Sequence, residues 1–485
     1  MRAVSKWAFL LISLGVAAGS VSLFQISSDP YTNPTSQHQT QVEPDTFAFG
    51  TTIVSAFQVG RFFNGGASNL GWATSTDGGL TWINGFLPGL TIHSAPPGPY
   101  ARASDPSVAY DAAHDTWMIS SLAVAERANG TAAGVAVLAS LSTDGGLTWS
   151  EPYPTVANGN WDKNWIACDN NRGTSPYYGY CYTTWDDVAE RGRLKVSISS
   201  DGGKTWGEPK TTANNAAGLG GIPVIQPDGT VIIPALSNSA NAILAFRSTD
   251  GGESWSSTIR VSEVIRHGVA SRLRALPLPS VDIDGDGNVY VVWHDARFRP
   301  NASANDIVMS TSTDGMNWTP VTRIPIDPLE SSADHFLPGL AVNPMTSREK
   351  AHLLLTYHYY PQTRCDFATC QVHVAYVSSI DGGETWSEPT QLAGPMSLSW
   401  LPNTSQGYMV GDYHSTSFVG NVAFPVFANA NPRTSAGFDQ FMVTTAAGLD
   451  PTRGMFRAGR RVSRERPIPN AVSDIPAPRE PLTAR

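Results

Sequence analysis

The chain has 485 residues, enough for several ordinary domains or one large repeat-built one. Hydrophobic residues at 41% exclude wholesale disorder; only 15% charged residues, with Gly 44, Pro 35 and Trp 14, exclude helix bundles and favour an all-β chain of many short strands. A formal charge of -9 disfavours a nucleic-acid partner, which calls for a basic face.

Residues 1–22 read as a secretory leader. Arg2 and Lys6 precede the apolar run WAFLLISLGVAA, and Ala17, Ala18, Gly19 and Ser20 supply small residues for cleavage. The run is shorter than the roughly 20 residues of a membrane span. An uncleaved anchor here is the alternative, and it is the one route to a membrane that the sequence offers. Residues 23–41 are a linker or a closing strand, 42–462 the folded body, and 463–485 a Pro- and Arg-rich tail without apolar period.

One octapeptide dominates the body. STDGGLTW stands at 75–82 and again at 142–149, SSDGGKTW at 199–206, STDGGESW at 248–255 and SIDGGETW at 379–386. A copy one residue short, STDGMNW, stands at 312–318. The aspartates are Asp77, Asp144, Asp201, Asp250, Asp314 and Asp381. In a turn, Asp accepts hydrogen bonds from N–H groups further along, and Gly-Gly supplies positive φ. The hydroxyls extend that network and the Trp ring packs beneath. Each copy follows a strand-like run such as GVAVLASL or RLKVSIS. A repeat at this spacing predicts a propeller or an array.

A looser repeat precedes each copy: an inner-strand run, often with a proline near its start. These runs lie around Pro44, Pro106, Trp165, Pro223, Pro279 and Pro338. A seventh, VGDYHSTSF around Asp412, has no octapeptide after it. Seven four-stranded blades therefore fit, with six as the alternative. The last blade is expected to close with a strand from residues 31–42.

Polar residues at the starts of the inner strands are expected to line the central funnel. They are Glu43 and Asp45, Arg102 and Asp105, Asp162 and Lys163, Arg272 and Arg274, Asp334 and His335, and Asp412, Tyr413 and His414. Second strands end in a further set: Gln58 and Arg61, Trp185 with Asp186 and Asp187, His294 with Asp295 and Arg297, and Tyr357 with His358. Carboxylates suit sugar hydroxyls, aromatics suit ring faces, and Arg suits an acid group. The catalytic candidates are Asp105, Glu43, Tyr413 and Asp412. The substrate-binding candidates are Arg102, Arg272, Arg274, Arg297, His294, Asp295, Trp185 and His335. Each has a structural reading beside the functional one: the Asp residues cap inner strands, His294 and Asp295 tie two blades, and Trp185 belongs to blade core.

Cys168 and Cys181, and Cys365 and Cys370, are expected to pair locally in an exported chain; four cysteines allow three connectivities. No paired CxxC supports zinc. Asp282, Asp284 and Asp286 match the first half of a calcium loop, but Trp293 stands where an EF-hand needs Glu. The readings are an Asp-rich hairpin turn or structural calcium; no other cofactor is required. Asn129, Asn301, Asn317 and Asn403 open Asn-x-Ser/Thr sequons. The chain has no phosphate-binding Gly-rich loop, HExxH or GxSxG motif.

The octapeptide resembles the Asp box, S-x-D-x-G-x-T-W, of sialidases and other Asp-box β-propellers, over roughly residues 43–446. In that family the box joins the third and fourth strands of a blade, away from the active-site mouth, so its residues are structural. The resemblance implies a secreted sialidase-like carbohydrate-active enzyme, a glycoside hydrolase acting on an extracellular glycan, with exo-α-sialidase as one form. Such enzymes use a Tyr nucleophile helped by Glu, an Asp acid/base, and three Arg on the sugar carboxylate. Tyr413 lies late in the chain, as the family's Tyr does. The family's first Arg sits in Arg-Ile-Pro, whereas this chain has Val42-Glu43-Pro44, an acid in place of a base. The alternative is a non-catalytic propeller serving as a glycan- or protein-binding scaffold.

Overall fold

The computed structural model describes residues 21–453, all-β with short 3-10 turns between strands. The leader expected at 1–22 and the tail at 463–485 lie outside these residues, apart from 21 and 22. No helix among the described residues is long and apolar enough to cross a membrane.

Successive strands pair antiparallel with their sequence neighbours, the cheapest topology for short loops. The first set runs Gln37–Phe49, Thr52–Arg61, Ala67–Ser75 and Ile83–Phe86. A second set, Arg102–Asp111, Thr116–Glu126 and Ala132–Ser142, is finished by the first half of Tyr153–Cys168. The second half of that long strand starts a third set with Cys181–Asp187, Arg193–Ser199 and Lys210–Thr211. These three sets are joined edge to edge in one eleven-stranded sheet, the first to the second only through Ala67 and Ala103.

Separate sheets follow. One is built on Val231–Ser237, Ala242–Ser248 and Ile259–Glu263, with the short strands Gly218–Leu219 and Val224–Ile225 at its inner edge. The next holds Ser280–Ile283, Val289–Asp295, Asp306–Ser312 and Thr322–Arg323. Another holds Asp334–Val342, Leu353–Tyr360, Gln371–Ser379 and Thr390–Ser397. The last contains Ser415–Val419, Val422–Thr434 and Gly437–Thr445. Its outer strand is Leu23–Gln25, with Leu23 opposite Thr445, so the closing strand lies N-terminal to the expected residues 31–42. Tyr31 instead packs edge-on against Phe86.

The apolar core lies in the seams between consecutive strand sets. Trp72, Trp117 and Trp149 meet in one seam; Leu355, Val377 and Trp386 pack in another. Strands covered on both faces read as nearly continuous buried runs, as in Ala67–Ser75. Gly71 is required there: a Cβ would stand 2.5 Å from the Phe57 ring.

The octapeptides form one recurrent turn after the third strand of a set. Ser75 Oγ donates to Asp77 Oδ1, and Gly79 N donates to Ser75 Oγ, each at 2.8 Å. Thr81 donates to Asp77 through its backbone N at 2.9 Å and its hydroxyl at 2.6 Å. Gly78 and Gly79 take φ of 74° and 88°. The pattern recurs at Asp144, Asp201, Asp250 and Asp381. In the short copy, Asn317 Nδ2 replaces the hydroxyl and donates to Asp314 Oδ2 at 2.7 Å.

The first strand of each set surrounds a common cavity of ≈ 420 Å³. An innermost strand has an unpaired edge, and unpaired buried N–H groups are costly. Side chains of the preceding innermost strand satisfy them. Val108 N donates to Asp45 at 2.7 Å, Ile166 N to Ser107 Oγ at 2.9 Å, Leu340 N to Ser280 Oγ at 2.9 Å, and Val342 N to Asp282 at 2.6 Å.

Candidate functional site

The innermost strands carry a repeated irregularity. Their registers slip at residues 42–45, 104–107 and 336–338, and opposite residues 184–186 of the third set. Each slip is a bulge holding a non-glycine residue in the left-handed region: Glu43 at φ 55°, Asp105 at 46°, Lys163 at 49° and Leu337 at 49°. Proline follows Glu43, Asp105 and Leu337; it has no N–H to give a ladder, so the unpaired bulge position tolerates it. A bulge re-aims its side chain, and such strain concentrates at functional sites. Glu43, Asp105 and Lys163 converge.

Lys163 is the centre. Its Nζ lies 2.6 Å from Asp412 Oδ2, 3.1 Å from Asp105 Oδ1 and 3.2 Å from Glu43 Oε1. Arg274 grips Asp412 with both arms of its guanidinium, Nε donating to Oδ1 at 2.5 Å and Nη2 to Oδ2. Gln58 Nε2 donates to Glu43 and to Ser104 Oγ, while its Oε1 accepts from Arg61 Nη1 at 2.7 Å. Tyr413 sets its ring edge-on to Trp165 at 5.0 Å, with Lys163 Nζ 5.5 Å from its centroid, and its hydroxyl donates to Pro106 O at 3.3 Å. Lys163 is 6% exposed, and Glu43, Asp105 and Asp412 are 1–2% exposed.

Burial and charge divide these groups. Burial pushes Glu43 up to about 7, with Lys163 opposing and Asp105 and Asp412 assisting. Asp105 is also raised by burial, against the pull of Lys163. Asp186 is driven well above the carboxylate range by burial and then by Asp162. Burial alone would raise Asp412 too, but the Arg274 and Lys163 charges override it and hold it far below that range. Lys163 stays charged, because its three carboxylates outweigh its own burial. Tyr413 is pushed well up by burial and then by the surrounding carboxylates. It is a hydrogen-bonded phenol, not a poised phenolate.

Above the cluster opens a pocket of ≈ 60 Å³. Glu43, Arg61, Asp105, Asp162, Lys163 and Arg274 line it, with Asn64, Trp161, Ser405 and Gln406. Below, Asp412 and Tyr413 face the axial cavity. The site thus couples an ionised Asp412 to Glu43, whose carboxyl is raised to about 7.

Other sequence candidates sit elsewhere. Arg102 bonds Glu126 at 2.8 Å and Asn64, with its guanidinium 4.0 Å from the Phe62 ring centroid. Arg297 pairs with its near neighbour Asp295 at 2.7 Å. Arg272 is exposed, so Arg102, Arg272, Arg274 and Arg297 do not form a clamp. His294 is buried and pushed down to about 3 by burial and by Arg266 and His267. Trp185, 1% exposed, packs edge-on to Trp161 and is seam core. His335 stacks on Tyr359 and lies 3.9 Å from Asp327.

Two groups of side chains have the spacing of metal ligands. Asp282 accepts from Val342 N; Asp284 accepts from Asp286 N, Asn288 N and Arg348 N; Asp286 pairs with Arg348. These carboxylates accept from separate protein donors, and the motif lies at a hairpin turn. Asp306, Asp327 and His335 bring ligand atoms within 4.8 Å of one another. The guanidinium groups of Arg299 and Arg323 already bridge Asp306 and Asp327 at 2.5–2.9 Å. Both local disulfides are present, Cys168 with Cys181 and Cys365 with Cys370.

The sequence candidates give no role to Lys163, Asp186, Arg61 or Gln58, although all four stand among the expected funnel residues. The readable signal was the X-Pro step at Glu43 and Asp105, which marks the bulges. Nothing local distinguishes Arg61 from Arg102.

No protein-family profile matches the chain, and no curated protein matches it. Among solved structures it is similar to an ulvan lyase, of a new family of polysaccharide lyase, bound to -[GlcA(1-4)Rha3S]-. The TM-score is 0.52 at 11% identity, over 88% of this chain and 96% of that one. A protein of unknown function from Dyadobacter fermentans gives 0.47 at 17% identity, over 75% and 99%. The intramolecular trans-sialidase from Ruminococcus gnavus gives 0.41 at 13% identity, over 84% and 92%. At such identities the likeness is one of fold.

Proposed function

We propose that this chain is a secreted carbohydrate-active enzyme that cleaves an extracellular glycan in the pocket above Lys163. The scaffold of this reading is a seven-bladed Asp-box β-propeller. Its support is the count of strand sets around one cavity, three in the eleven-stranded sheet and four beside it, and the recurrent turn at six octapeptides. The expected leader and the two disulfides fit an oxidising compartment outside the cytosol.

The observation that carries the activity is the convergence of Glu43, Asp105 and Asp412 on Lys163 at one pocket, where burial raises Glu43 and neighbouring charge holds Asp412 down. A carboxylate fixed as an anion beside a carboxyl near neutrality is how a site performs acid and base chemistry at one pH. In this reading Glu43 exchanges the proton, Asp412 stays charged and anchors Lys163 and Arg274, and Asp162 faces the sugar. Hydrolysis and elimination both need that proton transfer. The exo-α-sialidase form asks for a cationic clamp on a carboxylate, for which the pocket offers Arg61 and Arg274.

A second reading draws on the near-complete burial and internal pairing of the same cluster. There it locks strand sets together, and the mouth serves a non-catalytic binding module.

The test is a panel of glycans incubated with the purified chain, including a sialoside, neutral aryl glycosides and uronic-acid polysaccharides. Reducing ends report cleavage, and ultraviolet absorbance of an unsaturated sugar reports elimination. The proposal expects turnover of at least one class and its loss in Glu43→Gln with the fold intact. A folded chain silent across the panel hands the site to the second reading.

A further inference from the structure

Large apolar side chains beside a polar pocket are informative when exposed. Phe63 is 53% exposed and Phe367 48%. Phe63 lies between Arg61 and Asn64, both of which line the pocket, and its carbonyl accepts Ser405 N at 2.8 Å. Ser405 and Gln406 form the tip of the hairpin made by Asn403–Thr404 and Gly407–Tyr408, and both line the pocket. At the other end of this hairpin, the Tyr408 ring meets Phe367 at 5.2 Å and 32°.

Phe367 is held in place. The Cys365–Cys370 disulfide closes its turn, and Asp366 Oδ1 accepts Ala368 N and Thr369 N, each at 3.0 Å. Ser271 Oγ donates to Cys365 O at 3.2 Å, and Arg274 N donates to Tyr408 O at 2.8 Å. The turn is thus braced against the segment that delivers Arg274 to Asp412. A rigid ring costs little ordering on binding.

Resting on the reading that the pocket handles a glycan, we propose that Phe63 and Phe367, at the two ends of the hairpin whose tip lines the pocket, are sugar-stacking platforms. The site then takes an internal stretch of a polysaccharide chain instead of a single terminal sugar. The apolar C–H face of one sugar covers Phe63 and that of another covers Phe367 with Tyr408. The bond between them is presented to the pocket.

The probe is native affinity electrophoresis of the full chain through gels containing ulvan, alginate, chondroitin sulfate or xylan. The wild type is expected to be retarded by at least one. Phe63→Ala and Phe367→Ala each weaken that retardation about tenfold, the double variant more, and Phe63→Trp restores it. Unchanged thermal unfolding of these surface variants excludes loss of fold. Equal retardation of wild type and double variant overturns the proposal while leaving the glycan reading standing. A wild type that turns over small glycosides yet passes every gel unretarded also overturns it. Neither turnover nor retardation overturns the glycan reading itself, and the platforms with it.

Discussion

Lys163→Met is the sharpest perturbation, because one ammonium serves three buried carboxylates from different strand sets. Asp412 keeps Arg274, and Glu43 keeps Gln58. Asp105 loses its 3.1 Å contact to the ammonium outright. Removing one partner of a buried ion pair costs about 3–5 kcal/mol, against a total stability of about 5–15 kcal/mol. The cost depends on pH with a definite sign. Glu43 and Asp105 already have folded pKa values raised above their unfolded ones, and the substitution raises them further. A raised carboxyl favours the fold below its unfolded pKa, and that advantage disappears as pH climbs through the folded pKa. The deficit of the variant is therefore larger above about pH 7 than below it and shrinks on acidification as the carboxyls take up protons. Equilibrium unfolding in urea, followed by Trp fluorescence with reversibility checked, measures it. A deficit under about 1 kcal/mol at about pH 8, or one that grows on acidification, refutes the reasoning.

Other consequences are open to direct measurement. Asp45 and Asp282 are pushed up to about 7 by burial, so each destabilises the fold as pH rises through neutrality. Asp45→Asn keeps an acceptor for Val108 N, and is expected to raise Tm at about pH 8 while leaving it unchanged near about pH 3. An equal loss at both pH values speaks against burial as the cause. Asp381→Ala removes the acceptor of Ser379 Oγ, Thr385 N and Thr385 Oγ1, for an expected loss of about 2 kcal/mol in unfolding experiments. Turnover and glycan retardation are expected to be unaffected, since the octapeptide is structural; a selective loss of either places it in the site. Arg102→Lys, with its anchor at Glu126, is expected to change stability before substrate affinity, which parallel unfolding and binding titrations separate.

What the sequence disclosed follows the range of each interaction. The octapeptide was legible because its hydrogen bonds close within four residues, as between Asp77 and Thr81. Both cysteine pairs are local in the same sense. Glu43 and Asp105 were legible as funnel residues through the proline after each. The central position of Lys163 was not, because it depends on how separate strand sets are placed against one another and on contacts 58, 120 and more residues away. Arg102 and Arg297 looked equivalent to Arg274 in type and placement. Only the structure distinguishes a guanidinium satisfied by Glu126 or Asp295 from one that reaches Asp412 across 138 residues. A closing strand was expected within 23–41 but placed too late, at 31–42; the three residues of Leu23–Gln25 are too few to display a strand period. At Asp282, Asp284 and Asp286 the sequence left a hairpin turn and structural calcium both open, because alternating acids on a hairpin suit either; in the fold each bonds to a separate donor.

The central claim is that Glu43 exchanges a proton in a glycan-cleaving pocket. Its most direct test is the pH–rate profile of the wild type beside Glu43→Gln, on whichever glycan the panel identifies. The account predicts a limb near pH 7 in the wild type, matching the carboxyl pushed up to about 7. It also predicts at least about a hundredfold loss of kcat in the variant, with thermal unfolding unchanged or raised. Full activity in Glu43→Gln, or a profile flat through neutrality, contradicts it.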